Sequence, residues 1–187
     1  MLFALILAGT IFFFFNATNN VKRIAAASPG PLPATTFNRQ TYTTARQKFD
    51  HFFADQAERS VTLSNAEVNA LLADSPELGV LRRGTVAVLN QNSAEVTCSV
   101  PLDIPFFPRR YFNCSFQAHP AIRGDEFQLG VSRIEKEGRP MDPAEIREVQ
   151  VIVLPLVEKT LSTLNKIQGD RSVHSVRIEN GNLVLAR

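Results

Sequence analysis

The stretch AEVTCSVPLDIPFFPRRYFNCSFQAHPAIRGDEFQLGV (94–131) decides the fold. Its apolar residues recur every second position. Val96, Cys98, Val100, Leu102 and Ile104 fall on one side, with Thr97, Ser99 and Asp103 on the other. PFFP (105–108) turns the chain. Phe112, Cys114, Phe116 and Ala118 then return on the apolar side, opposite Asn113, Ser115 and Gln117. A second turn at 122–125 leads into Phe127, Leu129 and Val131. Upstream, Val86 and Val88 alternate with Thr85 and Ala87 before a turn at 90–92. Side chains on a strand point alternately to the two faces, so this period marks half-buried strands. The span 84–135 therefore reads as a four-stranded antiparallel meander with one apolar face.

Within it, Cys98 and Cys114 lie on the two arms of the PFFP hairpin, equally far from Phe106. That register would set them directly opposite on the apolar face. A disulfide is feasible there if the pair is close enough. Closing a loop of about 15 residues would add roughly 3 kcal/mol in the chain-entropy description. Two buried free thiols are the other reading. A disulfide would require an oxidising compartment. Two cysteines without a CxxC spacing do not make a zinc site.

On either side of the meander the period becomes helical. Tyr42, Ala45, Phe49, Phe52 and Phe53 share one face of a helix over 38–58. Val61 and Leu63 alternate as in a short strand. Ser64 then caps a helix, with Glu67 completing a capping box and Leu63 and Val68 at the positions of a hydrophobic staple. Downstream, Asp142-Pro143-Ala144-Glu145 starts a further helix by the same logic, with proline at the first helical position. Helical spacing runs from Ile146 to Ile167, and Pro155 predicts a kink. The end of the chain, VHSVRIENGNLVLAR (173–187), is a hairpin. Asn180-Gly181 suits a two-residue type I′ turn that pairs Ile178 with Leu183 and Val176 with Leu185.

The beginning of the chain is different. Residues 2–15, LFALILAGTIFFFF, carry no charge. As a helix they would span about 21 Å, short for a hydrocarbon core of about 30 Å. A single-pass anchor, a cleaved signal peptide with Ala25-Ala26-Ala27 as the small-residue site, and a buried helix all compete. Lys22 and Arg23 lie between the run and those alanines, the wrong place for charge in a signal peptide. The run also lacks a basic flank before it, so the positive-inside rule would favour Lys22 and Arg23 as cytoplasmic, and a start upstream of Met1 would supply the missing flank. AAASPGPLPATT (25–36) has neither period and reads as a linker. The expected organisation is an anchor or signal-like segment at 1–24, a linker at 25–36 and one domain at 37–187.

The resulting architecture is α+β: an N-terminal hydrophobic helix, then a curved antiparallel sheet packed on amphipathic helices. The sheet combines the four-strand meander with the C-terminal hairpin. The chain's formal charge is only +2, from 20 basic and 18 acidic side chains, and Arg82-Arg83 and Arg109-Arg110 are its local basic clusters beyond Lys22-Arg23. A nucleic-acid binder would show a basic surplus, so that class is set aside. The histidines His51, His119 and His174 have no metal-ligand spacing. There is no nucleophile elbow, P-loop or Rossmann glycine pattern. No cofactor is implied and no catalytic residue is assigned.

TLSNAEVNALL (62–72), the apolar segment before it and VRIENGNLVLAR (176–187) resemble the YpmS-like group of single-pass bacterial envelope proteins. The matching residues are Leu63, Ser64, Glu67, Asn69, Ala70, Leu71 and Leu72, then Val176, Ile178, Gly181, Leu183 and Leu185. More distantly the order of elements is similar to β-rich envelope domains that bind lipid under a long helix. The resemblance implies a domain held outside the cytoplasm by a membrane anchor at residues 2–15, and it brings no catalytic residues.

Two roles fit these readings. One is binding of a lipid or other apolar ligand between sheet and long helix, with Phe112, Phe116, Phe127, Val153 and Val157 as candidate contacts. The other is a scaffold for an envelope protein partner. An enzyme with a cone-like pocket is the third and least favoured.

Overall fold

In the computed structural model, residues 21–35, 38–55, 57–102, 108–123, 126–152 and 173–187 are described. The apolar run 2–15, residues 105–107 of the PFFP turn and the expected kink at Pro155 lie outside them; of the expected turn at 122–125, Ile122 and Arg123 belong to a strand and 124–125 lie outside. Helix α1 covers Arg39–Ala54, followed by strand β1 (Ser60–Ser64), helix α2 (Asn65–Asp74) and a 3-10 stretch at Pro76–Leu81. Strands β2 (Thr85–Leu89), β3 (Ala94–Leu102), β4 (Arg110–Arg123), β5 (Glu126–Lys136) and β6 (Arg139–Pro140) come next. Helix α3 (Pro143–Ile152) and the hairpin β7 (Ser175–Glu179) and β8 (Asn182–Ala186) complete the α+β fold.

The meander forms as its alternation predicts, with β2-β3-β4-β5 paired in order and antiparallel. Short β6 extends it to five strands, through a turn in which Glu137 and Gly138 both have positive φ. The C-terminal hairpin does not join this sheet. It takes β1 as its third strand, in the order β1-β8-β7. Its register is the expected one, Ile178 opposite Leu183 and Val176 opposite Leu185. Asn180 (φ 50°) and Gly181 (φ 73°) supply the two left-handed residues of the I′ turn. The two sheets meet where Gly181 N–H donates to the Asn90 carbonyl at 3.1 Å.

Two details depart from strict alternation. Ala87, not Val86, stands opposite Val96, so Val86 lies on the outer face, where it is nevertheless buried. In β5, pairing jumps from Gln117–Ser132 to Ser115–Glu135. Arg133, at φ 55°, is the extra residue of this bulge. The bulge turns Ile134 back toward the core, where it packs with Cys98, Phe112 and Cys114.

Both expected capping boxes form. Ser64 Oγ accepts from Glu67 N–H, while Glu67 Oε2 accepts from Ser64 N–H. Asp142 Oδ1 accepts from Glu145 N–H, and Glu145 Oε2 from Asp142 N–H. The staple residues Leu63 and Val68 both pack with Phe52, Phe53, Val176 and Leu185.

Helix α1 ends at Ala54, four residues short of its sequence pattern. Arg187 explains the stop. Its guanidinium donates to the carbonyls of Phe52 (2.7 Å) and Asp55 (3.0 Å) and stacks on the Phe52 ring at 4.9 Å. Carbonyls at a helix C-terminus have no intrahelical partner and attract cations. Arg187→Ala should therefore cost about 1.5–3 kcal/mol, the range for hydrogen bonds to a charged group. Arg187→Lys should recover only part, because an ammonium cannot fork. Urea unfolding of the two variants measures this.

Candidate functional site

The site is built on the apolar face of the five-stranded sheet and on the chain that wraps it. Cys98 and Cys114 are cross-strand partners, with their sulfurs 2.9 Å apart. Both are free thiols and both are buried. The contact with Cys98, reinforced by burial, pushes the Cys114 thiol far above the ordinary thiol range. Phe112 is 4% exposed beside them, and Phe116, half-buried, joins the same cluster. Phe127 lies in β5 opposite Ile122, and its side chain is outside the described residues. Val153 and Val157 also lie outside them.

Ile146 and Val149 of α3 pack on this face, and residues 21–25, at the join of the expected anchor segment and linker, cover it with them. Residues 21–24 form a helical turn, and Ala25 N–H donates to the Val21 carbonyl at 2.8 Å. Val21, Ile24 and Ala25 are buried against Cys98, Val100, Phe112 and Met141. Ala26 then pairs with Tyr111 through two backbone hydrogen bonds of 2.8 and 3.0 Å, adding itself to the free edge of β4. Beyond that edge the chain crosses to the polar face. Gly30 N–H donates to Asn113 Oδ1 (2.9 Å) and Ser99 Oγ (3.1 Å), and Asn113 Nδ2 donates to the Ser28 carbonyl. A Cβ on Gly30 would come within 2.9 Å of the Asn113 side chain and would have to displace it from its hydrogen bonds. Residues 21–30 thus form a strap around the edge of β4.

Charges tie the strap to helix α3. Arg23 pairs with Glu148, and Lys136 Nζ donates to the Arg23 carbonyl. Lys136 also approaches Glu145 at 3.7 Å, while Arg139 clasps Glu145 at 2.5 and 2.8 Å. These hydrogen bonds hold the Glu145 carboxyl at about 2, against an ordinary value of 4.5. Ionised Glu145 stabilises the fold fully above about pH 4.5, and its contribution fades as pH falls toward 2. Glu145→Gln should therefore be less stable than the parent at pH 7, with the difference shrinking through pH 4 to pH 2.5. Thermal melts at the three pH values check this.

The strap continues to a cleft of about 350 Å³ on the outer side of the sheet. Leu32, Pro33, Ala73 and Val86 make its apolar wall, and the Asp74–Arg83 pair, 3.3 Å apart, stands beside them. Helix α2 forms one side by an unusual pairing. Asn69 accepts from Ala87 N–H at 2.8 Å and donates to the Ala87 carbonyl at 2.7 Å. Asn65, one turn earlier, accepts from Leu89 N–H at 2.9 Å. Two asparagines thereby take the place of a neighbouring strand along the open edge of β2.

Neither the strap nor the cleft was expected from sequence. The sequence marks Asn69 only through the family resemblance, and its spacing of four from Asn65 is the local signal of this pairing. The three histidines all lie at the surface. Among the described residues, no group of three His, Cys, Asp or Glu side chains is placed to hold a metal ion. Among those residues, too, no helix is long and apolar enough to cross a membrane. No protein-family model and no curated protein matches this chain.

Proposed function

We propose that this is a single-pass membrane protein whose folded domain sits outside the cytoplasm, close to the bilayer, and binds a lipid or similar apolar ligand without catalysis. The observation that carries the reading is the strap. Apolar run 2–15 is followed, after only a few residues, by a segment built into the domain core. Cleavage at Ala25–Ala27 would remove Val21 and Ile24, which are 4% and 0% exposed. Each such aliphatic burial is worth about 1.5–3 kcal/mol. A fold that uses these residues favours a retained anchor over a discarded signal.

The strap also limits distance. Six residue steps separate Phe15 from Val21, a reach of at most about 21 Å. The domain would therefore rest beside the membrane. Its apolar sheet face is closed at the Phe112 end by Ile24, Ala25 and Met141. Farther along the same face, Val131 stands opposite buried Ala118 yet is 47% exposed. Ile178 covers the face at Ala94 and Ala118, so the exposed apolar position is Val131 beside them, and next to a bilayer it suits contact with an acyl chain.

Native mass spectrometry of the full chain, extracted in a mild detergent, tests this. Co-purifying lipid is expected, with less of it after Val131→Glu. A lipid-free protein would contradict the ligand reading. The cleft at Leu32 and Val86 supports a second reading, an envelope protein docked beside β2. In that case in-cell crosslinking from Arg83 would capture one reproducible partner while lipid stays absent.

A further inference from the structure

We propose that Cys98 and Cys114 are joined by exchange with the disulfide of a thiol oxidoreductase, and that the strap at 21–26 docks over them only after the bond is made. The proposal rests on the extracytoplasmic placement above. Its geometric part stands alone. Ser99 N–H donates to the Gly84 carbonyl, and Tyr111 exchanges both backbone bonds with Ala26. Ser99 therefore faces β2, and Tyr111 faces away from β3. Alternation then makes Cys98 and Cys114 a hydrogen-bonded pair within the β3–β4 ladder. Such pairs hold their Cα atoms about 5.5 Å apart, inside the range that a disulfide spans. The sulfurs already approach to 2.9 Å.

The order of events follows from burial and chain distance. Each cysteine is 7% exposed, and both pack in the cluster that contains Ile24, Ala25 and Phe112. A protein oxidant cannot reach a sulfur so enclosed. The cysteines are only 16 positions apart, on one hairpin, whereas Gly30 meets Ser99 and Asn113 across 69 and 83 positions. Local contacts form before distant ones. The hairpin thus presents both thiols before the strap arrives.

Exchange balances in two steps. One cysteine thiolate attacks a sulfur of the oxidant's disulfide, forming a mixed disulfide and releasing the oxidant's other sulfur as a thiolate. The second cysteine thiolate attacks the first Sγ. The Sγ–Sγ bond forms and the mixed bond breaks. Two electrons and two thiol protons end on the oxidant, which leaves as a dithiol. Docking of Ile24 and Ala25 would then shield the new bond from reductants.

The test uses full-length protein from membranes, denatured with N-ethylmaleimide and no reductant. The expected chain carries no adduct and gains about 2 Da after reduction. Protease accessibility of the domain is measured on the same cells. An accessible domain with two adducts per chain overturns the proposal. An inaccessible domain overturns the placement instead. The pair is then judged by refolding reduced chain with glutathione disulfide, where closure supports the proposal and persistent thiols overturn it. For the order of docking, glutathione should reduce the bond at least about tenfold faster in Ile24→Ser than in the parent, because local opening exposes it. Arg23→Ala serves if that variant fails to fold. Equal rates would overturn the shielding role.

Discussion

Ile24→Ala is expected to lower the unfolding free energy by about 2–5 kcal/mol, the range for truncating a fully buried isoleucine. Ile24 is 0% exposed and touches the same cluster as Cys98, Val100, Phe112 and Met141. Truncation leaves a cavity between strap and sheet. Besides buried Val21 and Ala25, the strap is held by one β-bridge at Ala26, the Gly30 and Ser28 hydrogen bonds, the Lys136 bond to the Arg23 carbonyl and the Arg23–Glu148 pair. Those interactions are partly exposed, and exposed ion pairs contribute little. The effect should therefore not be absorbed locally. Lys22→Ala, at an exposed neighbouring position, should change stability by no more than about 0.5 kcal/mol. Chemical denaturation of both variants decides the matter. A loss under about 1 kcal/mol for Ile24→Ala would mean that the strap lies outside the cooperative core.

Asn69→Leu should be nearly as damaging, by about 2–4 kcal/mol, for a different reason. Leucine preserves the volume but removes both hydrogen bonds to Ala87. Each buried backbone group left unpaired costs about 1–3 kcal/mol. The side chain is 3% exposed, so water cannot easily replace the lost partners. The variant should also aggregate, because an uncovered β2 edge is a template for another strand. Light scattering during purification, together with the denaturation midpoint, reads both consequences. Asn65→Ala, which loses only the bond to Leu89, should cost about half as much.

These residues also show where the sequence was legible. The capping boxes at Ser64–Glu67 and Asp142–Glu145 were, because each is a contact between residues three apart. The Asn180–Gly181 turn was, because its two positive φ values admit few residue types. The β2–β5 meander followed from period-two alternation. The strap was not legible. Residues 25–36 have no period, and the part that docks is held by partners 69 to 85 positions away. The cover that the sequence assigns to a helix over the sheet is supplied by Ile146 and Val149 of α3, and Val21, Ile24 and Ala25 add to it at the Phe112 end. The Arg133 bulge escaped because alternation cannot register an inserted residue. Arg187 escaped because capping by a residue 132 positions away leaves no local trace.

We propose that the apolar N-terminal run is retained and continuous with the strap in the domain core. Tryptic mass spectrometry of the detergent-extracted, membrane-bound protein tests it most directly, since trypsin cuts after Lys22 and Arg23. The apolar peptide ending at Lys22 should be recovered from the membrane fraction together with peptides of the folded domain. A mature chain beginning after Ala25, Ala26 or Ala27, with the domain in the soluble fraction, would contradict it.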